Sequence, residues 1–312
     1  MAVTLVWMQC GACSGDSMSL LDAEAPDVLE AFKLLNIRLL WHPSLSVYRP
    51  SEVLALRQRI ISGEQPLDIL CVEGAILRGP GGSGMYDTVG GRPKKDLVAA
   101  MAKVARFVVA VGTCASFGGM AGAGEVEGTG LQFSQEERGG FLGPDFRTRE
   151  GLPVVNLAGC PANGDVVVSA LSALVTGQTP ELDEVQRPVA WYGMLAHQGC
   201  TRNEYHEFRV EEADFGGRGC LFFHLGCQGP LSHAPCNKIL WNRRSSKTRA
   251  GVPCHGCTQP DFPRPHPFFK TREIEGLPLD LPDGVKRAHY MVYKNMARVA
   301  APQRLKDRKT IV

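Results

Sequence analysis

The 312-residue chain has no run of eighteen apolar residues, and no twin-arginine or signal-peptide leader precedes its strand-like opening, Met1-Ala2-Val3-Thr4-Leu5-Val6-Trp7. Neither a membrane span nor an export signal is expected, which points to the cytoplasm, with any membrane association made through a partner. An excess of one charge is lacking too: a net charge of +2 with 21% charged residues argues against a nucleic-acid binder or a disordered chain. There is no Walker lysine pattern, no repeat and no low-complexity tract. An ordinary globular protein remains, long enough for two domains or one large one.

Cysteine is plentiful. Six of the eleven cysteines fall between His197 and Cys257, namely Cys200, Cys220, Cys227, Cys236, Cys254 and Cys257, with His197 three residues before Cys200. A His and a Cys three apart share one face of a helical turn, and Cys254-His-Gly-Cys257 makes a tight loop, so each pair can grip one metal centre. A disulfide framework suits small secreted chains and does not suit this one. Structural zinc needs sets of four: His197, Cys200, Cys220 and Cys227 could make one, but Cys236, Cys254 and Cys257 are then left as three. Three thiolates are natural for a cluster with one iron missing, and His can substitute for Cys, so iron–sulfur chemistry is favoured.

Apolar, β-rich runs recur along the first half at Val3 to Trp7, Ile37 to Trp41, Leu67 to Val72, Phe107 to Val111, Val154 to Leu157 and Val189 to Tyr192. Helical patterns fall between them near Met18 to Leu35, Pro50 to Ser62, Lys94 to Arg106 and Gly164 to Gly177. Strand and helix in alternation predict a parallel sheet covered on both faces, with ligands beyond the carboxyl ends of the strands. Cys10, Cys13 and Asp16 follow the first run, Glu73 the third, Cys114 the fourth and Cys160 the fifth, so all are expected on one sheet edge. Cys71 lies inside an apolar run and reads as packing.

Two glycine-rich loops, Gly79 to Gly84 and Gly118 to Gly124, are expected where another backbone, that of a partner, comes close. From Leu182 a link containing Pro and Arg leads to a second half without regular alternation, expected to fold around its inorganic centres. The last segment, Lys286 to Val312, carries eight Lys or Arg against one acid, Asp307. A helix there would place Tyr290, Tyr293, Met296 and Ala297 on one face.

These motifs taken together resemble the small subunit of nickel–iron hydrogenases over nearly the whole chain. Val72-Glu73-Gly74, Gly112-Thr113-Cys114-Ala115 and Gly159-Cys160-Pro161 are similar to the family's V-E-G, G-T-C-A and G-C-P segments. His197-x-x-Cys200, Cys220 to Cys227-Gln228-Gly229-Pro230, Cys236 to Trp241-Asn242 and the run Pro253 to Pro263 follow in the family's order, with Cys220 to Cys227 one residue longer than in most members.

The resemblance implies a flavodoxin-like doubly wound domain over residues 1–182 and an irregular cluster-binding domain over 183–312. It implies three clusters: a proximal 4Fe-4S or 3Fe-4S, a medial 3Fe-4S on Cys236, Cys254 and Cys257, and a distal 4Fe-4S or 3Fe-4S on His197, Cys200, Cys220 and Cys227. The family's W-L-x-x-x-x-C-x-x-C reads here as Trp7 to Cys13 with Asp16 in place of the second cysteine. Cys13, Asp16, Cys114 and Cys160 are therefore the expected proximal ligands, and Cys10 is a near neighbour and alternative. A carboxylate is harder and less covalent to iron than a thiolate, so it should alter the cluster's potential or let one iron go. With the missing export signal, this resembles the actinobacterial uptake branch. The resemblance further implies a large subunit holding the nickel–iron centre, a quinone or redox carrier as acceptor, and a higher oligomer of heterodimers. Glu73 is a candidate interface or proton-relay residue, with a hydrogen-bonding role preferred.

Overall fold

A computed structural model describes residues 2–122, 124–263, 271–275 and 277–308. The chain separates into two compact units, Met1–Gly193 with Thr258–Phe262, and Met194–Cys257 with Pro263–Val312.

The first unit is built on five parallel strands: β1 (Val3–Gln9), β2 (Ile37–Trp41), β3 (Ile69–Glu73), β4 (Phe107–Val111) and β5 (Val155–Leu157). Their order is β5-β4-β3-β1-β2. Read from the other edge this is 2-1-3-4-5, the flavodoxin-like doubly wound order, whose switch point lies between β1 and β3. Register pairs Gln9 with Glu73 and Glu73 with Val111, so those strand ends are level. β3 and β4 are buried at every position, as strands covered on both faces must be, and Cys71 is fully buried within β3.

Six helices connect the strands or follow them: α1 (Gly15–Leu21), α2 (Val28–Leu34), α3 (Pro50–Ile61), α4 (Lys94–Val104), α5 (Gly112–Phe117) and α6 (Gly164–Val175). α1 and α2 pack with α6, and α3 packs with α4. The single helix expected from Met18 to Leu35 is two, because Pro26 interrupts the pattern. Asp27 then caps α2, its carboxylate accepting the N–H groups of Leu29 and Glu30 at 2.9 Å. The run Val189–Tyr192, expected as a strand, is the short helix α7. Pro188 sits at its N-cap, and a four-residue apolar run does not by itself distinguish strand from helix.

At Gly79 the close approach is made by this chain's own backbone, whereas among the described residues nothing beyond the immediate chain neighbours lies within 4 Å of where a Cβ on Gly81, Gly82 or Gly124 would stand. A Cβ at Gly79 would collide with the Glu125 carbonyl, and the amides of Gly81 and Gly82 donate to the Glu127 carboxylate at 2.9 and 3.2 Å.

The second unit has little regular structure: α8 (Asn203–Glu207), α9 (Phe222–Leu225), α10 (Arg287–Ala300) and shorter turns. Its apolar cluster joins Tyr205, Leu221, Phe222, Phe223 and Leu225 to Tyr290 and Leu305, and Cys220 and Cys227 belong to it. α10 splits the face expected for the basic tail. Tyr290 and Ala297 are buried, whereas Tyr293 is 49% and Met296 68% exposed. The third buried position is Lys294, whose Nζ lies 3.0 Å from a buried Glu211 oxygen. An ion pair thus occupies part of the inward stripe, a pairing across 83 residues that periodicity does not reveal. Residues 309–312 of the tail lie outside the described residues.

Candidate metal centres

The first donor set stands at the carboxyl ends of the strands. β1 leads through Cys13 into α1, where Asp16 lies in the first turn; β4 runs straight into α5, which carries Cys114; Cys160 follows β5. Three hydrogen bonds tie these loops. Thr113 N–H donates to the Gly159 carbonyl (2.8 Å), Gly159 N–H to Thr113 Oγ1 (3.0 Å), and Ala162 N–H to Asp16 Oδ1 (2.7 Å).

Glycine stands beside three of the four expected ligands. A Cβ at Gly119 would lie 2.7 Å from Cys114 Sγ, one at Gly15 would lie 3.2 Å from Cys13 Sγ, and one at Gly112 would strike the Asp16 carboxylate. Space around the donors is kept by leaving side chains out. Cys13 is exposed, Cys114 and Cys160 are half-buried, and Asp16 is buried. Burial lifts the Asp16 carboxyl to about 7; the Ala162 N–H opposes the rise and the Glu73 charge adds to it. Cys114 is raised by burial first, and then by the charges of Asp16, Cys13 and Glu73, offset in part by a backbone hydrogen bond.

Glu73 ends β3 at 1% exposure. Its carboxylate accepts Trp7 Nε1–H (2.9 Å), Asp16 N–H (3.1 Å), the Ser17 hydroxyl (2.5 Å) and, more distantly, Gln9 Nε2 (3.4 Å). Both oxygens are engaged with the start of α1 and the end of β1. Cys10 is elsewhere. Side chains alternate along β1, and Val6, Met8 and Cys10 enter the apolar cluster with Leu56 and Ile60 of α3 and Leu97, Val98 and Met101 of α4. Burial pushes the Cys10 thiol up to about 12, as expected of an inert packed sulfur.

In the second unit, a small pocket is lined by His197, Cys200, Cys220 and Cys227. His197 opens toward it from a 3₁₀ turn, Ala196–Gly199, whose three-residue repeat eclipses His197 and Cys200. Burial pushes the Cys220 and Cys227 thiols up to about 12, and each also senses the Cys200 charge. Backbone donors reach the sulfurs: Arg202 N–H to Cys200 Sγ (3.4 Å) and Cys254 N–H to Cys227 Sγ (3.2 Å). Arg202 is buried and spans the wall, donating to the carbonyls of Thr248 (2.6 Å), Gly217 (2.6 Å) and Gly219 (2.5 Å).

Cys236, Cys254 and Cys257 form a third set. Burial raises Cys236 to about 12, followed by the charges of Cys257 and Cys254, while the nearby Lys247 charge lowers it. Lys247 Nζ is 3.9 Å from Cys257 Sγ. Thiols held neutral by burial become good ligands only when a metal replaces the proton. Soft donors in sets of four, three and four, with one carboxylate and one imidazole among them, fit iron–sulfur clusters better than zinc.

Sequence reasoning passed over His206. Its Nδ1 is 3.5 Å from Cys220 Sγ and its ring centroid is 4.7 Å from that of His197. His197, His206 and Glu207 offer ligand atoms within 4.8 Å of one another. No spacing rule marks His206, because its partners are brought to it by the fold. The buried Glu211, bonded to His224 Nε2 (2.8 Å), the Tyr290 hydroxyl (2.6 Å) and Lys294, was missed for the same reason.

Comparison with known proteins identifies the family. A family model for the C-terminal region of NiFe/NiFeSe hydrogenase small subunits matches residues 192–270, and one described as NADH ubiquinone oxidoreductase, 20 Kd subunit, matches residues 13–174. The periplasmic NiFe hydrogenase small subunit 1 of Nitratidesulfovibrio vulgaris is 30% identical over 279 residues, covering 86% of this chain and 82% of that protein. The periplasmic NiFeSe hydrogenase small subunit of Desulfomicrobium baculatum is 32% identical, with coverage of 83% and 84%. The chain belongs to the family of nickel–iron hydrogenase small subunits. Among solved structures it is similar to the actinobacterial-type NiFe-hydrogenase of Ralstonia eutropha, with a TM-score of 0.81 and 27% identity over 99% of this chain and 89% of that one. No helix among the described residues is long and apolar enough to cross a membrane.

Proposed function

We propose that this chain carries electrons from hydrogen oxidation at a nickel–iron centre in a partner large subunit to an external acceptor, a quinone or a redox carrier. One observation carries the reading: in residues 194–257, four donors line one pocket, Cys236 senses the charges of Cys254 and Cys257, and the two sets touch through Cys227 and Cys254. Bound iron–sulfur clusters would supply reversible one-electron storage. Cys13, Asp16, Cys114 and Cys160 would hold the proximal 4Fe-4S or 3Fe-4S cluster. Cys236, Cys254 and Cys257 would hold a medial 3Fe-4S, and His197, Cys200, Cys220 and Cys227 a distal 4Fe-4S or 3Fe-4S.

The remaining residues position and tune. Glu73 anchors the turn that presents Asp16, which favours a positioning role over proton relay. Buried backbone N–H groups aimed at the sulfurs spread thiolate charge. The exposed Cys13 suits a face met by the large subunit, and a higher oligomer of such heterodimers is part of the proposal. We place the protein in a reducing compartment, the cytoplasm, where cysteines keep the thiol form that binds metal.

Iron and acid-labile sulfide analysis of the purified chain tests the reading. Brown protein with iron and sulfide in cluster proportion supports it, and colourless protein carrying zinc sinks it. The match of residues 13–174 to the quinone-oxidoreductase subunit favours a second reading, in which only the first donor set is used. Iron content unchanged by Cys236→Ser and Cys220→Ser would favour that alternative.

A further inference from the structure

We infer that His206 is a positioning residue that donates its Nδ1–H to the Cys220 thiolate and so raises the reduction potential of the centre held by His197, Cys200, Cys220 and Cys227. This rests on the distal-cluster reading above and adds to it a residue outside the ligand set.

The geometry leaves the ring little choice. His206 stacks on Phe223 with centroids 5.7 Å apart and planes at 14°, and meets Phe222 edge-on at 5.4 Å. The ligand imidazole of His197 closes a further side at 4.7 Å, edge to face. The Arg209 guanidinium donates to the His206 carbonyl and covers the Phe223 ring at 4.6 Å, which fixes α8 over α9. Stacked on Phe223 and met edge to face by Phe222 and His197, the ring presents Nδ1 to Cys220 Sγ at 3.5 Å, a normal separation for an N–H donor to sulfur.

Among the described residues, the other sulfur hydrogen bonds at this centre come from the main chain. Cys200 receives the Arg202 N–H, Cys227 receives those of Gly229 and Cys254, and Cys220 receives that of Phe222. His206 supplies a side-chain donor, the kind that substitution can remove without redirecting backbone. A donor to a thiolate stabilises the more negative, reduced cluster more than the oxidised one, so its removal must lower the potential. Packed against the neutral ligand His197, the same ring also limits that imidazole's rotation.

The test uses the complete heterodimer and potentiometric titration followed by electron paramagnetic resonance. His206→Phe keeps an aromatic filler and removes the donor; His206→Asn keeps an N–H near the Nδ1 position. The expected result is a shift of the distal midpoint to lower potential in the Phe variant, with proximal and medial midpoints and iron content unchanged, and a return toward the native value in the Asn variant. An exchangeable proton coupled to the distal centre should be present in the native and Asn proteins and lost in the Phe protein. An unmoved midpoint with the distal signal intact overturns the inference. So does loss of the distal signal in both variants, which would make His206 a ligand or a folding element. His197→Gln and Cys220→Ser probe the underlying reading separately: if both leave the distal signal native, the ligand assignment fails, whatever His206 does.

Discussion

The backbone N–H of Cys254 points at the sulfur of Cys227 across 3.2 Å. Gln228 N–H in turn donates to the Cys254 carbonyl at 2.7 Å, so the two segments are clasped from both sides. One residue thus offers its sulfur to the three-thiol set and its amide to a sulfur of the four-donor set. Cys254→Ser should therefore change the medial and distal resonance signals together, while Cys236→Ser should change the medial signal alone. Distal spectra identical to native in Cys254→Ser would show that the clasp transmits nothing.

Asp16 and Cys10 separate two registers of the amino-terminal motif. Asp16→Ala should perturb the proximal signal and lower the iron content. Cys10→Ser should leave both as they are and cost about 1–3 kcal/mol of stability, from placing a hydroxyl among apolar side chains. The reverse pattern would reassign the ligand.

Glu73→Gln replaces an acceptor-only group by one whose amide must face Trp7, Asp16 or Ser17 donors. A buried donor left without an acceptor costs about 1–3 kcal/mol, so a lower unfolding temperature is expected, with the proximal signal broadened as α1 loosens. Native stability in this variant would contradict the hydrogen-bond pattern.

Glu211 makes the second unit acid-sensitive. Burial opposes its ionisation, but the His224 and Tyr290 hydrogen bonds and the Lys294 charge outweigh that, and its carboxyl is held below the ordinary 4.5. A depressed carboxyl contributes stability that is present above its unfolded pKa and is lost as pH falls through the folded one. The urea midpoint should hold above about pH 5, fall as the pH drops from there through the depressed Glu211 pKa, and fall less in Glu211→Gln. Lys294→Met should lower stability, because Glu211 then keeps only its His224 and Tyr290 hydrogen bonds and loses the balancing charge. Equal acid slopes in native and Glu211→Gln proteins would assign the sensitivity elsewhere.

Stripping iron with a chelator and oxidant should open residues 194–257 to protease while the five-stranded sheet persists. The second unit has few regular hydrogen bonds of its own, and two of its cysteines sit in its apolar cluster, so bound metal contributes to folding there. Protease resistance unchanged by iron loss would contradict this.

Much of this was legible in the sequence. Alternating apolar runs specify parallel strands because each strand needs cover on both faces, and strand ends in such a sheet gather on one edge. That is why Cys10, Cys13, Asp16, Glu73, Cys114 and Cys160 could be grouped before any coordinates, with Cys10 the one whose side chain turns away. His197 and Cys200, or Cys254 and Cys257, are close because they are near in the chain. The fold alone decided what depends on direction and on distant pairing. Cys10 and Cys13 differ by three residues, yet strand alternation sends the first into the core. Val189–Tyr192 became helix under the control of Pro188. His206 reaches Cys220, and Lys294 reaches Glu211, only once the irregular second unit has closed. Local spacing encodes which donors can share a turn, whereas side-chain direction and long-range neighbours are set by packing, which no short window of sequence contains.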